Sequence, residues 1–145
     1  MRKILFRGKR KDNGEWVEGN LFENDNSHFP MVLIGHVIMS RDKHFPQDLS
    51  FDGYGLCEVD PETVGQYTGH TDMKRKKIFE GDIVQRYKTE FNPPRKYKKP
   101  YVVHIKDEFP RAVEEYYSAF EHFTEKVGYE VIGNIHDNPD LVKED

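Results

Sequence analysis

Ile4-Leu5-Phe6-Arg7-Gly8-Lys9-Arg10, then Lys11-Asp12-Asn13-Gly14, then Glu15-Trp16-Val17-Glu18-Gly19-Asn20-Leu21-Phe22, is the stretch that decides the fold class. Two strand-like runs flank Asp-Asn-Gly, and Asn and Gly accept the positive φ that tight turns between strands demand, so the stretch reads as a β-hairpin. Alternation along the second strand puts Val17, Gly19 and Leu21 on one face and Trp16, Glu18 and Asn20 on the other. Trp16 thus falls on the more polar side, where packing in a core is expected ahead of display to a partner.

Short strands punctuated by turns continue downstream. Met31 to Met39 is apolar enough for a buried strand pair or one strand bent at Gly35. Residues 40–55 carry Pro46, Gly53 and Gly55 as breakers, and Leu56-Cys57-Glu58-Val59 is a short strand. Asp60-Pro61-Glu62-Thr63 suits one helical turn, with Asp60 as cap and Pro61 in its first position. Val64 to Gly69 returns to strand. Glu80-Gly81-Asp82 is a turn that leads into Ile83-Val84, and Tyr101 to Ile105 is a strand. The prolines of 88–100 predict an exposed, mobile loop. Over 111–127, Val113, Tyr116, Tyr117, Phe120, Phe123 and Val127 recur at spacings of three and four, which predicts an amphipathic helix between Pro110 and Gly128. Tyr129 to Ile135 is a strand, and Asn138-Pro139 opens a short C-terminal helix with Asn138 as cap.

At 145 residues the chain fits one domain, or two small β subdomains sharing a core. No apolar run approaches the roughly 18 residues of a membrane helix. The apolar run at the basic N-terminus is too short for a signal peptide. Cys57 is the single cysteine, so an intrachain disulfide is excluded, the reducing cytoplasm is favoured, and a small buried hydrophobe is the expected role. The formal net charge of -4 hides segregation: residues 1–11, 74–77 and 86–99 hold sixteen of the 22 Lys and Arg with one acid, Glu90. Two readings stand open: a surface for a polyanion or for a second copy of the chain, or lysines that protect turns and sheet edges.

No catalytic constellation emerges. The seven histidines lack close metal-ligand spacing; His36 and His104 are expected as half-buried, hydrogen-bonded residues. Glu80-Gly81-Asp82 offers too few oxygens for a calcium site and reads as a structural turn, of the kind found in small SH3-like barrels. No Walker loop, dinucleotide fingerprint or nucleophile elbow is present. Neither cofactor nor metal is expected. The functional lead is 86–101, where Arg86, Lys88, Arg95, Lys96, Lys98 and Lys99 alternate with Tyr87, Phe91, Tyr97 and Tyr101. Cations for phosphates beside aromatic faces for bases is the composition of single-strand binders. Against it stands an overall pI of about 6.0, low for a dedicated nucleic-acid binder.

Three blocks together resemble the YopX-like family of bacteriophage and prophage proteins. They are Phe6-Arg7-Gly8-Lys9 leading to Gly14-Glu15-Trp16-Val17; Asp60 to Gly69 followed by Lys77 to Val84; and Glu130-Val131-Ile132-Gly133-Asn134-Ile135 with Asn138-Pro139 after it. The resemblance implies a phage or prophage origin and a mostly β architecture, and brings no activity, cofactor or catalytic residue. Two stretches depart from the family pattern. Asp72-Met73-Lys74-Arg75-Lys76 replaces an Asn-Gly turn, and residues 105–129 read helical where strand is expected.

The expectation is a mainly β protein with a small twisted sheet, SH3-like barrel elements, one amphipathic helix at 111–127 and a short C-terminal helix. It acts as a non-catalytic phage accessory protein in the bacterial cytoplasm. Most simply it is a self-assembling interaction module, a homo-oligomer with a phage or host protein as further partner. The alternative is a nucleic-acid binder working through 86–101. No membrane role is expected.

Overall fold

The computed structural model describes residues 3–24, 28, 30–41, 49–104 and 127–142. The chain is mainly β, with ten strands and two 3-10 turns among the described residues. It divides into two compact units, Lys3–Gly65 and, C-terminal to it, the chain from Gln66 onward.

The first unit is an antiparallel meander in the order β4-β3-β2-β1, from β1 (Phe6–Lys9), β2 (Trp16–Asn24), β3 (Met31–Arg41) and β4 (Leu49–Glu58). The Asp-Asn-Gly hairpin forms as read. The amide of Gly14 donates to Arg10 O, that of Arg10 to Glu15 O, and that of Glu15 to Asn13 Oδ1. Trp16 is half-buried, and Arg7 and Lys9 lie over its ring at 4.7 and 5.6 Å. The polar face therefore covers itself by cation–π contact in place of a core. The 3-10 turn Pro61–Thr63 has Asp60 as its cap, with Oδ1 accepting from the Glu62 amide at 3.1 Å. Among the described residues of this unit, Leu5, Ile34 and Val59 are the buried apolar side chains.

β4 is longer than the sequence suggests, because Gly53 and Gly55 lie within it instead of ending it. Pairing steps from Ile34↔Cys57 to His36↔Tyr54, so Gly55 and Leu56 together oppose Gly35. Gly55 has φ +69, the glycine-first form of a β-bulge. The bend read at Gly35 is the other half of this bulge: a Cβ there would lie 2.3 Å from Gly55 O. Cys57 is half-buried, with Sγ 3.8 Å from Gly55 O. His36 and His104 are exposed, not half-buried.

The second unit begins with β5 (Gly65–Thr71) paired to β6 (Lys77–Phe79), where the Tyr67 and Phe79 rings meet at 5.5 Å. β7 (Asp82–Lys88) is the central strand of the other sheet. β10 (Val127–Asn134) lies along one edge of it, and β8 (Arg95–Lys96) and β9 (Tyr101–Val102) along the other. The departure from an Asn-Gly turn is absorbed by Asp72. Its Oδ1 accepts from the amides of Lys74 and Lys76, both at 2.8 Å, and Oδ2 from that of Val131 at 3.0 Å. Arg75 takes the positive-φ position, at φ 66.

No closed barrel forms among the described residues. The Glu80-Gly81 turn, with Gly81 at φ +87, is a corner between two sheets. The groups a hairpin would pair are engaged elsewhere: Glu80 N on Gln66 O, Gly81 N on Val103 O, and Phe79 N on Asp82 Oδ2 at 2.8 Å. Most of the helix read at 111–127 lies outside the described residues. Its last residue, Val127, and its stop signal, Gly128, belong to β10, opposite Lys88 and Tyr87. The C-terminal helix is the 3-10 turn Pro139–Val142. The Asn138 side chain does not cap it; it accepts from the Asn134 amide and packs against Gly133.

The bulge makes two glycines separable by substitution. In Gly35→Ala the new methyl must displace the neighbouring backbone, and a loss of about 3 kcal/mol or more is expected. In Gly55→Ala nothing lies within 4 Å, and only the left-handed backbone resists, at about 1–2 kcal/mol. Urea denaturation of both variants measures the difference, and equal losses would contradict it.

Candidate nucleic-acid interface

The 86–101 stretch is a β ribbon, not the mobile loop the prolines suggest. Arg86 and Lys88 belong to β7 and Arg95 and Lys96 to β8; Tyr97 follows, and Lys98 and Lys99 are exposed in the link to β9. Two short ladders pin the returning chain to β7: Lys88↔Arg95 with Tyr87↔Lys96, and Val84↔Tyr101 with Ile83↔Val102. The buried side chain of Gln85 bridges them, its Nε2 donating to the carbonyls of Arg86 at 3.0 Å and Tyr97 at 2.9 Å. The Tyr97 amide donates to Arg86 O at 3.0 Å.

Strand alternation sorts the side chains. Val84, Arg86 and Lys88 share one face of β7, joined across the ladders by Tyr101 and Tyr129. The Arg86 guanidinium lies 4.4 Å from the Tyr97 ring centroid and 3.9 Å from that of Tyr101. Lys88 Nζ is 5.1 Å from Tyr97, and Arg95 is 4.2 Å from Phe91. Such contacts contribute roughly 0.5–2 kcal/mol each, depending on desolvation. Among the described residues, none of Arg86, Lys88, Arg95, Lys96 and Lys98 pairs with a carboxylate. The rings orient Arg86, Lys88 and Arg95 without neutralising them.

Two residues change places relative to the sequence reading. Tyr87, read as part of the aromatic set, lies on the opposite face and donates to Glu130 Oε2 at 3.0 Å. Glu130 also pairs with Lys74 at 2.8 Å. The hydrogen bond from Lys74, then that from Tyr87, holds the Glu130 carboxyl below its ordinary range. Lys96, paired with Tyr87, also belongs to that face. Tyr129, absent from the sequence-derived set, sits opposite Arg86 and is only 5% exposed. Only the pairing of β10 with β7, strands far apart in sequence, reveals it. Among the described residues, no three His, Cys, Asp or Glu side chains gather as metal ligands. No described helix is long and apolar enough to cross a membrane.

Burial pushes the Tyr129 hydroxyl up to about 12, with Arg86 opposing. The folded protein therefore keeps this proton where the unfolded chain, near 10, has lost it. The resulting stabilisation is complete below pH 10 and disappears as pH rises toward 12. Over that window the melting temperature of Tyr129→Phe is expected to fall less than that of the parent. An equal fall would show that the hydroxyl ionises freely.

A family model described as YopX protein matches residues 5–143. The crystal structure of protein EF1440 from Enterococcus faecalis is similar over 99% of this chain and 100% of that one, with a TM-score of 0.59 and 23% identity. At that identity the likeness is one of fold. No curated protein matches the sequence. With nearly its whole length matched by the family model, and the mainly β architecture in place, the chain belongs to the YopX family.

Proposed function

We propose that the chain is a non-catalytic binding protein of phage or prophage origin, at work in the host cytoplasm, whose β7–β8–β9 ribbon takes phosphate polyanions. One observation carries this reading: five cations without a carboxylate partner among the described residues, set on one short ribbon with Phe91, Tyr97 and Tyr101. The overall acidity does not oppose it. Residues 66–104 hold ten basic and four acidic residues, and two of the acids, Asp72 and Asp82, are buried on backbone amides. Charges beyond about 8–10 Å are screened at ordinary salt, so the local excess governs contact.

Anisotropy titration of a labelled short duplex and of inorganic polyphosphate across salt concentrations tests the reading. Each neutralised phosphate releases counterions, and three to five contacts give a log–log slope of about −2 to −4.5, steepest on duplex. Replacing Lys96, Lys98 and Lys99 together with Ser should flatten the slope by about 2. No binding at about 50 µM in low salt, inside the usual non-specific range, would overturn the reading.

A second reading, self-assembly, is favoured by β4. Among the described residues it is the outer strand of the meander, ten residues long and paired on one side to β3. A long edge is a template for a strand of a second copy, related by a two-fold axis. Light scattering should then return a mass well above 17.2 kDa, and the monomer mass at micromolar concentration would dismiss it.

A further inference from the structure

We infer that the ribbon's ligand is single-stranded nucleic acid, DNA or RNA, and that Tyr101 is the platform on which one of its bases stacks. The inference rests on the reading of the ribbon as a phosphate-binding surface and adds to it a recognition element that charge alone does not supply. Two aromatic rings are exposed on the ribbon, Tyr101 at 37% and Phe91 at 36%. Each is backed by a guanidinium: Arg86 at 3.9 Å from Tyr101 and Arg95 at 4.2 Å from Phe91. A planar ring has two faces. A cation held against one fixes the tilt of the ring and leaves the other for a second planar group, so little side-chain freedom remains to be lost on binding. Tyr97 is less available, being half-buried and approached by both Arg86 and Lys88.

Register sets the scale. Tyr101 lies opposite Val84 and Arg95 opposite Lys88, so the two ends of the ribbon are four residues apart along β7, about 13 Å. That length suits a few nucleotides. Duplex bases are stacked on one another and present only edges and backbone, so an exposed ring gains nothing from them; the bases of a single strand are open to it. Arg86 acts as a positioning residue, holding Tyr101 and Tyr97 in place from the strand behind them.

The experiment compares four labelled ligands on the full chain at one low salt concentration: oligo-dT, oligo-U, a duplex of the same length, and inorganic polyphosphate of similar charge. Oligo-dT and oligo-U should bind about tenfold more tightly than the other two, within the 1–3 kcal/mol per base that stacking contributes. In Tyr101→Leu the preference should shrink to about twofold or less, and in Tyr101→Phe, which keeps the ring, it should persist. Thermal melts of both variants establish that they fold. Equal affinity for all four ligands would overturn the single-strand inference and leave the polyanion reading standing. A preference that survives Tyr101→Leu in folded protein would overturn the assignment to Tyr101. Absence of binding to any ligand would remove both readings. Oligo-dT against oligo-U decides which nucleic acid is taken.

Discussion

The carboxylate of Asp82 is the constraint on which the second unit depends. It is 1% exposed, and it accepts the Phe79 amide at 2.8 Å, while its own carbonyl takes the Val103 amide. A buried carboxylate without donors would be costly by several kcal/mol, so this geometry does not relax. It ends β6 and starts β7 in a different sheet. The register of β7 then follows, with Asn134 opposite Asp82, Tyr129 opposite Arg86 and Tyr101 opposite Val84. Every side chain of the ribbon inherits its face from that starting point.

The two faces of β7 handle charge differently. On one, Glu130 is matched by Lys74 and by the Tyr87 hydroxyl, so the cluster has little net charge to offer. On the other, Arg86 and Lys88 are held by aromatic rings. A ring quadrupole steers a cation but carries no charge of its own, so the electrostatic reach of the guanidinium survives its stacking. On the first face the Glu130 cluster is matched and Lys96 of β8 stands beside it; on the second, Arg86 and Lys88 are oriented without being neutralised.

What was legible in the sequence was local. Asp12-Asn13-Gly14, Asp60-Pro61 and Glu80-Gly81-Asp82 each specify their own backbone through side-chain acceptors and permitted φ; the first two form as read, and the third forms as a turn but joins two sheets in place of strands of one barrel. The basic and aromatic composition of 86–101 was visible too. What was not legible was pairing between distant strands. Tyr129 joins Arg86 only through the β7–β10 register, and Tyr87 leaves the set for the same reason. The prolines of 88–100 suggest a loop because proline gives up a donor; the returning chain pairs at Arg95–Lys96, between those prolines, and at Tyr101–Val102, just after the last of them. Gly53 and Gly55 looked like strand breakers because a bulge and a break use the same residue, and only the partner strand tells them apart.

The gap between β8 and β9 has an evolutionary consequence. The chain is pinned on both sides of Lys98-Lys99-Pro100, and Gln85 satisfies the backbone at its start. No ladder runs through those three positions, so residues can be inserted or deleted there without shifting the strands on either side. Relatives can therefore lengthen, shorten or recharge this crest while keeping the sheet, which makes it a natural place for members of one fold to diverge in length and charge.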